Sequence, residues 1–385
     1  MQFLKLVLRN ALRHRLRTLL TLLGLVVAIL SFGLLQTVVD AWYAGAAGAA
    51  PTRLVTRNAV SLVFHLPLSY RDQIRTVDGV RAVSHATWFA GIYQDPKNFF
   101  PQFAIEPRTY FAMYPEYLVV PEEFTAFLRD RKGAVIGRKI ADTYHLMVGD
   151  ALPLRGTIYQ GTWEFTVRAV YDGIDTKTDT SQMFFHWEYL NETMKKRAGR
   201  QTDYVGVYLV DVIDIDRVAE VSRAIDVLFK NSLAETLTET ERAFQIGFVK
   251  QTEALVIAIR IVSYVVIVII LAVMANTMAM TARERLSEYA TLKVLGFSPG
   301  YVAALIVGES VAIAVIGAAA GIALTFPVAD WFAAKVGTIF PVFKVSGETV
   351  VLQIVCAIGV GMIAAAVPGR RAATVKIVEG LRAVG

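Results

Sequence analysis

The sequence has very little of what an enzyme or a disulfide-bonded protein requires. Its single cysteine, Cys356, cannot form an internal disulfide and lies in an apolar run, where it serves packing or faces lipid. The five histidines are scattered, and no H-E-x-x-H occurs. The sequence also lacks G-x-x-x-x-G-K-[ST], which marks nucleotide-binding loops. We therefore expect no catalytic residue, no metal site and no cofactor bound by this chain.

Charged residues are also scarce, at 19% of the 385 residues, whereas hydrophobic residues make up 55%. The apolar residues concentrate in four long runs, and the first carries no charge over about 22 residues. These runs predict transmembrane helices at residues 18–43, 254–281, 301–326 and 349–367. The net charge of +6 does not indicate a nucleic-acid partner, because much of the excess lies beside these runs.

Residues 44–250 mix charges, prolines and aromatic residues, and they contain no run long enough to span a membrane. Short alternating pieces predict strands at residues 53–63, 82–88, 103–105, 164–171 and 205–210. Helices are predicted at residues 68–77, 122–131, 139–145 and 216–232. The polar stretch 232–250 predicts a stalk helix continuous with the second span. The predicted fold is a membrane protein with four transmembrane helices and a large α+β extracytoplasmic domain inserted between helices 1 and 2.

Aromatic residues are dense between residues 88 and 127 of this domain. A packed core explains them best, because most large apolar side chains in a folded domain are buried. A surface for a hydrophobic ligand or a partner protein stays open as the alternative.

Basic residues indicate the orientation of the chain. Residues 1–17 predict a cytoplasmic amphipathic helix, with basic residues every four positions from Lys5 to Arg17, and this segment is too long for the start of a signal peptide. Basic residues also occupy the segment 282–300 and the tail 368–385, whereas the loop 327–348 is poor in them. Both termini and the segment 282–300 are therefore expected in the cytoplasm, with the inserted domain outside. This describes a multi-pass protein of the cell (inner) membrane.

The segment 282–300 is a short charged helix between two predicted spans. It should end at Gly296, because glycine followed by a proline stops a helix. A polar helix at the membrane surface is accessible to a soluble partner. The residues expected to couple to such a partner are Arg283, Glu284, Arg285, Glu288, Lys293 and Gly296.

The predicted spans contain few polar groups. Arg260 is expected to extend to the interface, and Asn276 could bond to a neighbouring helix. Glu309 is either a functional ionisable group or a hydrogen-bonding group that fixes helix geometry, and we favour the second. Small residues predict close helix packing at four positions, which are Gly317, Gly321, Gly359 and Gly361.

These features together resemble the MacB/FtsX/LolC-type ABC transporter permeases, in the form without a fused ATPase domain. One span, a large outer domain and three further spans is that family's layout. Its coupling pattern, roughly E-R-x-x-E-I-G, matches here at Glu284, Arg285 and Glu288, with Tyr289 and Ala290 in place of Ile-Gly. Residues 133–150, the pair at 309–310 and the ending at 368–382 also resemble family segments.

The resemblance implies a permease subunit that pairs with a second copy or a paralogue, and a separate ATPase subunit that binds ATP and Mg²⁺. ATP hydrolysis would then move the outer domains by mechanotransmission, for export or extraction of a hydrophobic, lipid-linked or peptide-like substrate. A periplasmic adaptor or membrane-fusion protein stays open as a further partner. The alternative is a non-transporting complex that controls a cell-wall enzyme or senses an antimicrobial. A membrane-anchored binding protein without an ATPase is a third possibility, against which the coupling pattern argues.

Overall fold

The structure is a computed structural model that describes residues 15–175, 178–197, 202–336, 340 and 342–375. Two compact units form the chain. One, which we call the membrane unit, contains residues 1–40, 253–335 and 343–385, and the other, the inserted domain, contains residues 41–252 with 336–342. Most of the predicted helix at 1–17 and the end of the tail lie outside the described residues.

The elements of both units can be given in chain order. The helices are α1 (Arg15–Gly48), α2 (Tyr70–Ile74), α3 (Pro107–Met113), α4 (Pro121–Arg129), α5 (Arg138–Tyr144), α6 (Trp187–Lys196), α7 (Val218–Leu228), α8 (Glu241–Gln251), α9 (Glu253–Glu284), α10 (Leu286–Val294), α11 (Pro299–Val336) and α12 (Gly347–Thr374). The strands are β1 (Arg53–Asn58), β2 (Leu66–Pro67), β3 (Val80–Trp88), β4 (Gly91–Ile92), β5 (Gln102–Ile105), β6 (Tyr117–Val119), β7 (Gly133–Gly137), β8 (Ala151–Gly156), β9 (Gly161–Gly173), β10 (Met183–His186), β11 (Tyr204–Val205), β12 (Val207–Val212) and β13 (Thr236–Thr240).

Four of the described helices, α1, α9, α11 and α12, are long and apolar enough to cross a membrane. The predicted fold class of four spans around an inserted α+β domain is thus confirmed. Two of these helices extend beyond the predicted spans. The helix α11 continues past Phe326 through Pro327 to Val336, and α12 continues through Pro368 to Thr374. Proline removes only one hydrogen bond from a helix, and packing against neighbouring helices makes this tolerable in a membrane.

The predicted stalk over residues 232–250 is also different in the structure. Its first part is the strand β13, which pairs with β1, and only then does α8 begin. Thr240 starts α8 as its N-cap, because its side-chain oxygen accepts a hydrogen bond from the backbone N–H of Ala243. A break at Thr252 separates α8 from α9. The second span therefore does not continue into the domain as one helix.

The inserted domain is built on a mixed sheet of eleven strands, in the order β13-β1-β12-β3-β5-β10-β7-β9-β8-β4, with β6 beside β9. Each face of the sheet has its own apolar core. Phe185 of β10 belongs to one core and its neighbour Phe184 to the other, because successive side chains of a strand point to opposite faces. The aromatic residues predicted to form a core, such as Phe100 and Tyr110, are buried in these two layers.

Candidate coupling site

The short helix α10 is tied to the third span by a buried ion pair. Arg285, at the N-cap of α10, donates from Nη1 to Oε2 of Glu309 at 2.9 Å and from Nε to Oε2 of Glu288 at 2.9 Å. Arg285 is only 8% exposed and Glu309 only 6%. Burial by itself lowers the pKa of Arg285, but Tyr289 and the two carboxylates raise it above its usual range. The guanidinium therefore stays charged and holds α10 against α11.

The other end of α10 is tied to the fourth span. The ammonium group of Lys293 donates to the carbonyl oxygens of Ala373 and Val375, both at 2.8 Å. These carbonyls lie at the C-terminal end of α12, where helices leave acceptors unpaired and carry partial negative charge. Lys293 thus caps α12 from α10.

A third contact joins the first and second spans near the same segment. Arg17 of α1 forms a two-pronged ion pair with Glu284, the last residue of α9, at 2.9 Å on each side. Together with Arg285 and Lys293, this pair connects α10 and its neighbouring residues to all four spans.

The outward surface of this segment is apolar at its tip. Val294, Leu295 and Phe297 are 59%, 70% and 41% exposed, and Gly296 between them has a φ of 92°. This left-handed conformation favours glycine, as expected for the residue after a helix. We call residues 294–297 the coupling tip. The sequence prediction named Gly296 but not the three exposed apolar residues around it, although these were visible in the sequence.

The predicted coupling residues therefore fall into two groups. Arg285 and Lys293 face inward and hold the segment in place, so the prediction that Arg285 contacts a soluble partner does not fit its burial. Arg283 and Glu284 are exposed at the end of α9, and the side chain of Glu288 is 41% exposed. Glu309, for which we favoured a hydrogen-bonding role, accepts a hydrogen bond from Arg285.

The predicted small residues pack against neighbouring spans at three of four positions. A Cβ atom on Gly317 would lie 2.5 Å from the side chain of Leu25, and one on Gly321 would lie 3.0 Å from Ile29, both on α1. A Cβ on Gly361 would lie 2.9 Å from Ala314 of α11. Nothing lies within 4 Å of a Cβ built on Gly359.

One buried polar contact between spans was not predicted. Gln353 of α12 is 0% exposed, and its Nε2 donates to the carbonyl of Ile29 at 2.8 Å and to the hydroxyl of Thr325 at 3.0 Å. A Cβ on Gly33 would collide with this amide, so a larger residue there would displace the side chain of Gln353. By contrast, the predicted intramembrane residues Arg260 and Asn276 are both exposed on α9 and do not meet in a common site.

A buried charge cluster joins the first and last elements of the inserted domain. Arg53 of β1 donates to Glu116 from Nη2 to Oε1 at 2.5 Å and from Nη1 to Oε2 at 3.1 Å. Its Nε donates to Oε2 of Glu241 in α8 at 2.7 Å. Its guanidinium also lies 4.0 Å from the ring centre of Tyr114, whose hydroxyl donates to Glu241. Burial opposes the charge of Arg53, but the two glutamates raise its pKa above the usual range. No role was predicted for these residues from the sequence.

The described residues contain no group of three or more His, Cys, Asp or Glu side chains that could hold a metal ion. Residues 260–377 match the family described as FtsX-like permease C-terminal, and residues 18–227 match the MacB-like periplasmic core domain. The chain belongs to the MacB/FtsX-type permeases of ABC transporters. It is thus a multi-pass membrane component of a transporter system, as the resemblance predicted.

Two solved structures are similar to part of this permease. One is the extracellular domain of the noncanonic ABC-type transporter YknZ from Gram-positive bacteria, with 12% identity, a TM-score of 0.37, and coverage of 49% of this chain and 100% of that one. The other is a domain of a putative permease from Porphyromonas gingivalis, with 14% identity, a TM-score of 0.33, and coverage of 49% and 88%. None of the curated proteins compared with the chain matches it.

Proposed function

We propose that the chain is the permease subunit of a mechanotransmitting ABC transporter, in which a separate ATPase subunit docks on α10 and the coupling tip. The observation that supports this most directly is the buried contact between Arg285 and Glu309. A buried ion pair with good geometry resists separation, because removal of one partner leaves a charge without compensation. A push on α10 would therefore move α11 with it.

Three connections carry this motion in the proposal. Arg285 passes it to the third span, Lys293 passes it to the end of the fourth, and the pair of Arg17 and Glu284 joins the first and second. Close packing at Gly317 and Gly321 then moves α11 and α1 together. The membrane unit would respond to the ATPase as one body rather than as four separate helices.

An ion pair also connects the two ends of the inserted domain. Its first strand, β1, follows the first span in the chain, and its last helix, α8, precedes the second span. Arg53 links the two through Glu241. In the proposed mechanism, the ends of the domain therefore move together when the spans move.

The remaining parts of the proposal follow from the family and the composition. ATP and Mg²⁺ would bind to the ATPase partner, and this chain would have no catalytic residue of its own. The coupling tip and both termini would face the cytoplasm. Two permease chains, identical or paralogous, would form the dimer, and a periplasmic adaptor could complete the assembly. The substrate would be hydrophobic, lipid-linked or peptide-like.

Replacement of Leu295 by aspartate tests the docking surface. We expect the tagged variant to lose most of the ATPase that purifies with the natural chain in mild detergent, because a charge replaces an apolar contact. The matched control is Leu233→Asp, which changes a fully exposed leucine of the inserted domain. Mass spectrometry of the purified material gives the amount of ATPase. Equal recovery in both variants would contradict docking at the tip.

The same purification distinguishes transport from regulation. A stoichiometric P-loop ATPase together with an adaptor supports export, whereas an ATPase together with a peptidoglycan hydrolase supports control of a cell-wall enzyme. A chain that purifies without any ATPase would overturn the proposal.

A further inference from the structure

A cavity of about 310 Å³ lies in the inserted domain, where β5 and β10 end. These two strands are parallel neighbours, and a helix follows each of them directly. Tyr110 of α3, which follows β5, packs into the core on one face of the sheet. Leu190 of α6, which follows β10, packs into the core on the other face. Helices that leave a parallel pair toward opposite faces leave a crevice between them, and open α/β sheets bind ligands at such places.

His85 lines this cavity, and the residues packed around its ring do not explain why a polar side chain is buried there. The side chain is only 2% exposed, yet neither ring nitrogen has a hydrogen-bond partner among the described residues. The ring meets Trp187 edge-on, with 5.1 Å between the ring centres. Buried polar groups are nearly always hydrogen-bonded, and each unpaired one costs about 1–3 kcal/mol. An unpaired histidine that lines a cavity therefore indicates a ligand that supplies the missing bonds.

The protonation state of His85 narrows the kind of ligand. Burial lowers the pKa of this residue to about 4, so the imidazole is neutral near pH 7. A neutral imidazole has one N–H donor and one acceptor nitrogen. A ligand with both hydrogen-bond acceptors and donors would satisfy both nitrogens, whereas a purely apolar ligand would leave them unpaired.

Charged side chains of both signs surround the same cavity. Arg71 and Arg108 supply two positive charges, and Glu106 and Glu188 supply two negative charges. The carboxylate of Glu106 already accepts hydrogen bonds from the backbone at the start of α3, so it is fixed in place. A lining with balanced charges fits a ligand that has a positive and a negative end.

The start of α6 also lines the cavity, through His186, Trp187 and Glu188. This helix has ten residues, and its N-cap residue, His186, makes no side-chain hydrogen bond to the first turn. The imidazole of His186 instead contacts the carbonyl oxygen of Phe127 at 2.8 Å. The first turn of α6 thus has no side-chain cap from its N-cap residue, and Glu188 is the acidic residue in that turn.

We infer that this cavity binds a small zwitterion with an amino and a carboxylate group, which is a free amino acid or a short peptide. Arg71 and Arg108 hold the carboxylate in this inference. The ammonium group lies toward Glu106 and Glu188, and His85 bonds to the polar groups between them. The volume lies at the lower end of the range of about 300–1,000 Å³ for ligand pockets, which favours one or two amino-acid residues. The inference does not depend on the proposed coupling mechanism.

The test measures binding of L-alanyl-L-alanine to the full chain in lipid nanodiscs, by calorimetry and by tryptophan fluorescence. Two blocked probes accompany it, the N-acetyl form without the ammonium group and the C-terminal amide without the carboxylate. We expect each blocked form to bind at least about tenfold more weakly, because each loses one charged contact. Free L-alanine distinguishes the two ligand sources, since comparable binding of alanine favours an amino acid and weaker binding favours a peptide.

Two variants locate the binding. Arg108→Gln changes an exposed residue of the cavity and should weaken binding about tenfold. Its matched control, Arg155→Gln, changes an exposed arginine of β8 and should not affect binding. His85→Phe should abolish binding, and its tryptophan spectrum without ligand checks that the domain is folded. Absence of binding by both alanine and alanyl-alanine overturns the inference, as does equal binding of the blocked forms or an Arg108 variant that binds like its control.

Discussion

At the scale of single residues, the contact between Arg285 and Glu309 decides how α10 meets the third span. Both side chains are almost completely buried, and two ion pairs meet at one guanidinium. Such a cluster contributes less to stability than to geometry, because the attraction between its charges mainly offsets the cost of taking them out of water. Its role in this permease is therefore to fix a position.

A double-mutant cycle at this pair tests that role. We expect Glu309→Leu alone to destabilise the membrane unit by about 2–3 kcal/mol, because it leaves the buried Arg285 with only one of its two carboxylate partners. The double variant Arg285→Met with Glu309→Leu should recover most of this loss, since no charge remains buried. Thermal unfolding in detergent measures Arg285→Met, Glu309→Leu and the double variant. Recovered stability without recovered stimulation of the ATPase would show that the pair serves coupling, whereas strictly additive losses would contradict a direct interaction.

His85 makes the stability of the inserted domain depend on pH. Its pKa is lowered from 6.5 to about 4 by burial, with a smaller lowering effect of Arg71 and an opposing effect of Glu106. The unfolded chain therefore binds more protons than the folded one between these two pH values, and stability is lost as pH falls through that window. The shift corresponds to about 3 kcal/mol.

Replacement of His85 by phenylalanine should reduce this acid sensitivity. We expect the loss of stability between about pH 7 and about pH 4.5 to shrink by about 2–3 kcal/mol in His85→Phe. It should not vanish, because burial also lowers the pKa of His65 and of His186. Urea unfolding followed by tryptophan fluorescence gives the values. The control His145→Asn changes an exposed histidine, and an equal effect in this control would rule out His85 as the source.

At the scale of elements, the glycines of α11 determine how closely the first and third spans approach. Gly321→Leu places a side chain against Ile29 and the carbonyl of Val26, each 3.0 Å from the new Cβ. Overpacking of this kind costs about 1–3 kcal/mol or separates the helices. We expect a lower yield of folded chain and a lower unfolding temperature in detergent.

The matched control for this change is Gly359→Leu, where a Cβ meets nothing within 4 Å. Both variants replace a glycine by leucine in a helix that is long and apolar enough to cross a membrane. A similar loss of yield in both variants would mean that leucine is harmful in any span, and the contact between α11 and α1 would then not be the cause.

A comparison of predicted and observed strands shows which elements a sequence pattern can identify. The five predicted strands all overlap observed ones, because alternating residues mark a strand with two different faces. The strands β7 and β10 were missed because every residue in them is buried, which leaves no alternation to detect. The strand β8 was missed for a different reason. Its exposed and buried residues alternate along the whole strand, but Pro153 argues against a strand in the middle of a sheet.

The coupling segment could be located from the sequence, but its contacts could not. A charged stretch between two apolar runs is typical of a short segment at the membrane surface, and Gly296 marks its end. The partner of Arg285, however, lies 24 positions further along the chain, and that of Lys293 lies 80 positions away. Contacts over such separations depend on how the spans pack, which a local pattern does not contain. For the same reason, the contact of Gln353 with Ile29 went unpredicted.

At the scale of the whole molecule, Arg53 of β1 and Glu241 of α8 join the two ends of the inserted domain, in addition to the pairing of β1 with β13. We expect Arg53→Met to destabilise the domain by about 3–5 kcal/mol, because it leaves two glutamates, one of them buried, without their partner. Limited proteolysis of the purified chain should then cut near residue 241 faster than in the natural protein. Arg57→Met removes a more exposed pair with Glu239 and serves as the control. Equal cleavage of the two variants would contradict the role of Arg53.

The pairing of β1 with β13 has a consequence for how the protein is made. The hydroxyl oxygens of Thr56 and Thr238 lie 3.0 Å apart across these strands, although 182 positions separate the two residues in the chain. The first strand of the domain thus leaves the membrane long before its outermost partner has been synthesised. Pairings over such long separations form slowly, and an unpaired strand is exposed to aggregation until they do. During biosynthesis, β1 therefore lacks this partner until almost the entire domain has crossed the membrane. Chaperones that protect unpaired strands would matter most in this interval.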